Sequence, residues 1–137
     1  MKQQVLTKER TDIITSADIK RLVDAFYEKV RRDELLSLIF SRRIQNRWPQ
    51  HLEKIYAFWK TVLLDEGTYF GSQSLLYAHL PMYRSHWQRW MKLFIDTMDT
   101  LFEGEKAEEA KWRAGKTAKM FKRKIEYYRN LRFKSLL

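Results

Sequence analysis

The chain has no cysteine. That excludes a disulfide framework, a thiolate metal site and a cysteine nucleophile. Four glycines and two prolines are all that interrupt 137 residues, too few for the frequent tight turns of a β-rich fold. Histidine is scarce as well, with His51, His79 and His86 the only three. No apolar run approaches the roughly 20 residues that cross a bilayer. The stretch Met1–Asp12 is polar and lacks the apolar core of a signal peptide. These absences point to a cytoplasmic protein with no transmembrane segment. Catalytic motifs are missing too: there is no Gly-x-Ser-x-Gly elbow, no glycine-rich phosphate loop and no His-Glu-x-x-His zinc helix. The carboxylates fall mainly on the solvent faces of predicted helices, so no buried acid–base pair is visible.

Hydrophobic residues make up 45% of the chain and aromatics 15%, enough for one domain with a sizeable core. The apolar periodicity is helical throughout, which sets the class as all-α. Ser16 is a good N-cap, and Ile19, Leu22, Val23, Phe26 and Val30 follow it as an apolar stripe. A short apolar piece, Leu35–Phe40, precedes a polar connector, Arg42–Arg47. A second long helix starts at Trp48-Pro49 and stops before Gly67. Residues 65–83 are irregular. A third helix covers about Arg84–Phe102, with Gly104 closing it. A fourth runs from about Glu105 to Arg129 and turns Ala110, Ala114, Thr117, Phe121, Ile125 and Tyr128 inward. The expected organisation is a flexible extension over 1–15, a globular domain over 16–129 and a basic tail over 130–137.

Basic residues outnumber acidic ones, 27 to 17, for a net charge of +10. Such a surface favours anionic partners. Much of the excess lies between Lys106 and Lys134, consistent with a solvated helix face and a basic tail. No nucleic-acid-binding motif accompanies it, so no nucleic-acid partner is expected.

Three polar-aromatic side chains point inward. His51, Ile55, Phe58 and Val62 share one helix face, because their spacings are four, three and four. Tyr27 lies four residues after Val23 and three before Val30, inside the first stripe. Trp90 belongs to the inner side of the third helix, with Trp87, Phe94 and Met98. One such residue is an ordinary satisfied core group. Three of them, on three helices, suggest a shared pocket for a ligand with a polar end. An apolar all-helical cleft with a few donors and a further histidine, His79, suits haem, which needs a large apolar slot, an axial ligand and distal donors.

The residues here resemble group III truncated haemoglobins. Phe26-Tyr27-Glu28-Lys29-Val30-Arg31-Arg32-Asp33 with Ile39-Phe40 is similar to their B helix and corner. His51-Leu52-Glu53-Lys54-Ile55-Tyr56-Ala57-Phe58-Trp59 resembles their E helix. Tyr69-Phe70-Gly71 and His86-Trp87-Gln88-Arg89-Trp90-Met91-Lys92-Leu93-Phe94 resemble the following loop and G helix. The likeness spans about residues 12–128. It implies a two-over-two helical globin sandwich holding haem b. Tyr27, His51 and Trp90 then fall on distal-pocket positions, Phe40 and Phe58 on haem-lining positions, and Lys54 near the propionates.

The axial side departs from the pattern. The family's iron-binding histidine stands six residues after the glycine matched by Gly71, in a His-x-x-Leu-Pro context. That place is Tyr77, and His79 comes two residues late in Tyr77-Ala78-His79-Leu80-Pro81. The preferred expectation puts the iron on His79 by a register shift. Tyr77 as a phenolate ligand and loss of the axial ligand are the alternatives. The function expected is binding of a diatomic gas such as oxygen, nitric oxide or carbon monoxide. Nitric oxide dioxygenase- or peroxidase-like activity would need an electron donor such as a reductase. The rival is a haem-free globin-like interaction module with an anionic partner.

Overall fold

The computed structural model describes residues 9–67, 69, 71 and 73–136, with only the backbone of 133–136. Expectations on residues 1–8, Phe70, Ser72 and Leu137 fall outside these. Among the described residues five α-helices follow one another: α1 (Ser16–Arg32), α2 (Ser37–Ile44), α3 (Trp48–Leu64), α4 (Arg84–Leu101) and α5 (Glu105–Leu136). Helix α1 packs on α3 and α4 on α5, with α1 also crossing α4. That is the expected all-α, two-over-two sandwich. Among the described residues the only β pairing is an isolated bridge between Thr11 and Phe102.

Helix α1 begins one residue earlier than the Ser16 cap implied. Thr15 is the N-cap, and Asp18 reaches back to complete a capping box. Ile19, Leu22, Val23, Phe26, Tyr27 and Val30 are buried as one stripe. Past its end, the Asp33 carboxylate accepts from the N–H groups of Leu35 and Leu36, each at 3.0 Å, and so starts the next turn. The polar connector expected over Arg42–Arg47 is instead the end of α2 and a short 3-10 turn, Gln45–Arg47. Phe40 and Ile44, four residues apart and both buried, hold that stretch helical against the core.

Helix α3 carries Pro49 in its first turn and buries Ile55, Phe58, Trp59 and Leu63. Asp65 ends it in the left-handed region, at φ 60°. A 3-10 turn, Gln73–Leu76, sits in the irregular stretch. Helix α4 opens with the Tyr83 N–H donating to His86 Nδ1 at 2.9 Å. It buries Trp87, Trp90, Phe94 and Met98. Gly104 then takes φ 142°, where a Cβ would overlap the Asp12 carboxylate.

That carboxylate caps α5, accepting from the N–H groups of Lys106 (2.9 Å) and Ala107 (3.0 Å). Part of the extension expected over 1–15 is therefore seated, and Ile13 is buried in the core. Ala107, Ala110, Ala114 and Ala118 form the buried small-residue face of α5. Tyr128, expected inward, is instead 62% exposed. Every side chain described from Glu126 to Arg132 is exposed, with Tyr128, Arg129 and Arg132 forming one wall of an open groove opposite residues 78–88. The stretch expected as a tail, 130–137, continues as helix through Leu136.

Candidate functional site

Helices α1, α3 and α4 each contribute one polar-aromatic side chain to the same buried cluster. Tyr27 of α1 meets His51 of α3 edge to face, with ring centroids 5.8 Å apart. Trp90 of α4 joins through Tyr77, whose ring lies 5.4 Å from Trp90 and 6.5 Å from His51. The hydroxyls of Tyr27 and Tyr77 are hydrogen-bonded at 2.6 Å. Phe40 is buried on the Tyr27 side and stacks on Trp48 with centroids 6.4 Å apart. Phe58 lies further along α3 and packs against Trp59 and Tyr69, at 4.9 and 5.7 Å.

Three buried side-chain nitrogens in and beside this cluster lack a well-formed hydrogen bond. They are His51 Nε2, Gln73 Nε2 and Trp90 Nε1, of which the Trp90 indole makes only a poorly aligned approach to the Tyr27 hydroxyl. Each such atom costs about 1–3 kcal/mol, so they mark a polar spot in an otherwise aromatic cluster. Burial pulls the His51 imidazole down to about 4, aided by the charges of His79 and Lys54. It is therefore neutral at pH 7. Burial likewise holds the Tyr27 phenol well above the ordinary tyrosine range. Its neighbour Tyr77 adds to that, while the Trp90 indole opposes it. Tyr77 is raised by burial, against the hydrogen bonding of Tyr27 and Gln73.

His79 and Lys54 stand outside the cluster. Both are exposed and both line a surface cavity of about 240 Å³, together with Arg43, Arg47, Gln50 and His51. The His79 ring is 6.5 Å from that of His51. Its own imidazole is held below the ordinary range by burial and by Arg43, Arg47 and Lys54. The structure thus turns Tyr77 inward and His79 outward.

Three contributors escaped the sequence pattern. Trp48 lies 5.9 Å from Tyr27 and 5.8 Å from His51, ring to ring. Its place three residues before His51 on one helix was the available signal. Gln73 is buried, and its Oε1 accepts from the Thr117 hydroxyl at 3.0 Å; nothing in an irregular polar stretch marks it. Asp33 accepts from Arg89 at 2.6 Å, an ion pair between helices that no local spacing announces.

Among the described residues no three His, Asp or Glu side chains converge to hold a metal ion, so the cluster is not built for a bare cation. For a haem, these buried nitrogens and the aromatic lining fit. The packing, however, is closed. The Tyr27–Tyr77 bond joins the two sides directly. An open groove of about 990 Å³ lies beyond the cluster, between residues 78–88 and α5. A flat macrocycle reaching His51 and Trp90 would have to displace residues 77–82. These carry no α-helix and are tied locally by Leu80 N–H to Tyr77 O (3.0 Å) and Met82 N–H to Leu80 O (2.9 Å).

No protein-family model matches the chain. A curated protein, Group 3 truncated hemoglobin ctb of Campylobacter jejuni, is 31% identical over 121 residues, which is 85% of this chain and 95% of the relative. The crystal structure of group III truncated hemoglobin from Campylobacter jejuni superposes with a TM-score of 0.73, at 31% identity. That match covers 85% of this chain and 94% of the solved one.

Proposed function

The chain belongs to the group III truncated haemoglobin family, and on that footing we propose that it binds haem b and, through it, a diatomic gas. The observation that carries this is the pair of buried nitrogens without a well-formed hydrogen bond, His51 Nε2 and Trp90 Nε1, on two helices beside the Tyr27 phenol. When bound, the haem supplies the iron at which a diatomic ligand is held. The protein's part is recognition. Tyr27, His51 and Trp90 offer hydrogen bonds to a small polar end in a water-poor setting, where such bonds are strong. His51 is neutral there, so it adds directionality without a charge. Phe40 and Phe58 supply apolar lining, and Lys54 with Arg43 and Arg47 gives the haem carboxylates a cationic rim.

Three convergent donors favour retention of a polarised ligand over rapid release. That suits nitric oxide or peroxide chemistry once an electron donor is present. The test is an absorption titration of the purified chain with haemin. A stoichiometric Soret shift, followed by carbon monoxide binding after reduction, is the expected result. No shift at equimolar haemin would sink the proposal. The closed packing of Tyr77 on Tyr27 favours a second reading, a haem-free module that engages an anionic partner through its basic surface. Salt-sensitive association without haemin uptake would support that instead.

A further inference from the structure

We propose that the open groove between residues 78–88 and α5 binds a long-chain carboxylate, a fatty acid whose apolar tail lies along the groove and whose acid group points toward the end of α5. The groove lies outside the cluster of Tyr27, His51 and Trp90, so the proposal does not rest on the haem reading above. Its volume of about 990 Å³ stands at the upper end of what small-molecule sites offer. Phe121, Ile125, Tyr128 and Arg132 of α5 all line it, and their spacings of four, three and four put them on one side of the helix. Phe121 lies flat on the buried Trp87 of α4, with ring centroids 4.6 Å apart and planes 3° from parallel, and the pair makes a stiff apolar floor. Leu80 and Met82 add apolar lining across from α5, but the floor and the charge come from α4 and α5.

The character of this face changes along the helix. Phe121 and Ile125 come first and are half-buried, whereas Arg129 and Arg132 follow and are exposed. Lys124 stands between them, its Nζ 5.9 Å from the Phe121 ring centroid. Among the described residues no carboxylate lines the groove. Arg84 of the facing wall is paired with Glu126, so the charge offered to a ligand comes from Lys124, Arg129 and Arg132. A groove that is apolar at one end and cationic at the other complements an amphipathic anion. Burial of a methylene chain supplies the affinity, and the cations fix its direction. A compact anion such as phosphate would use the cations and leave the apolar floor idle. The lining is also smaller than the roughly 20–30 residues that a protein partner covers, so a slender ligand fits it better.

Calorimetric titration of the full chain with octanoate, decanoate and dodecanoate, each below its micelle concentration, tests this. Affinity should rise roughly 2- to 4-fold per added methylene, and dodecanol should bind more weakly than dodecanoate. Ile125→Glu should weaken dodecanoate binding at least ~10-fold, because it sets a carboxylate in the path of the tail. Arg129→Glu combined with Arg132→Glu should weaken dodecanoate roughly 5-fold at low salt and leave dodecanol unchanged. Those two positions are exposed, so this variant keeps the test sound even if Ile125→Glu fails to fold, and thermal midpoints check both. No uptake of dodecanoate by the wild type overturns the proposal, as does an affinity indifferent to chain length and to both variants. A dimer in sedimentation that Ile125→Glu dissociates, with no dodecanoate uptake, would overturn it in favour of a second copy of the chain in the groove.

Discussion

His51 holds the sharpest conflict in the core, a titratable ring with an unpartnered nitrogen among aromatics. Its folded-state value near 4 lies below the unfolded 6.5. Above about 6.5 both states hold it neutral and its full contribution is present. As pH falls toward 4 the unfolded chain takes up the proton first, so stability is lost. The loss from this group is on the order of 2 kcal/mol, given about 1.4 kcal/mol per unit discounted for partial exposure. Urea unfolding at pH 7 and pH 4.5 should show it, and His51→Leu should flatten most of that slope while matching or exceeding wild-type stability at pH 7. An identical slope in the variant would show that the imidazole is not the group responsible. The inward placement of Tyr27, His51 and Trp90 was legible in the sequence because helical spacing alone puts each among core residues. The choice between Tyr77 and His79 was not. Counting from Gly71 reached Tyr77, but the His-Leu-Pro context drew the ligand to His79, and only the 3-10 turn decides which of them faces in.

Helix ends, more than helix interiors, position the elements. Asp33 is the clearest case: its carboxylate starts α2 and holds Arg89 of α4 at once. Burial pushes that carboxyl up, but Arg89 and the two N–H groups outweigh it and leave it below the usual range. Asp33→Ala should cost about 3 kcal/mol by leaving a half-buried guanidinium and two amides unpaired, whereas Asp33→Asn, which keeps an acceptor for the amides, should cost about half as much. Chemical denaturation measures both, and equal losses would mean that only the charge matters. The α4–α5 corner makes a similar argument. Gly104→Ala should lose about 2 kcal/mol from its φ of 142° and its overlap with Asp12. Asp12→Ala alone should lose about 1 kcal/mol, the value of an N-cap. Combined, the two should cost less than their sum, because the overlap is gone. Simple additivity would place the whole Gly104 penalty in the backbone angle. The long helices were legible because their stripes run for several turns. The α2 segment was not, since its polar half, Arg42–Arg47, is held helical by two buried side chains, Phe40 and Ile44, rather than by its own pattern. The seating of Asp12 on α5 was also hidden, as it joins residues 94 and 95 positions apart.

At the scale of the molecule, the +10 charge and the cleft are separable. No described helix is long and apolar enough to cross a membrane. The charge is densest along α5, whose end overhangs the bundle with Arg129, Asn130, Leu131 and Arg132 all exposed. A chain ending at Tyr128 loses three cations, Arg129, Arg132 and Lys134. It should unfold within about 1 kcal/mol of the full chain, because exposed surface contributes little. Its haemin uptake should be unchanged, since the cleft is framed by α1, α3, α4 and residues 73–82. Retention on an anionic heparin resin should fall and elute at lower salt, because the overhang concentrates positive field beyond the body of the fold. Unaltered retention would shift the anion-attracting surface to the rim of Arg43, Arg47 and Lys54. Impaired haemin uptake would instead tie the overhang to the groove it lines with residues 81–88, and so make α5 part of the path by which the cofactor enters.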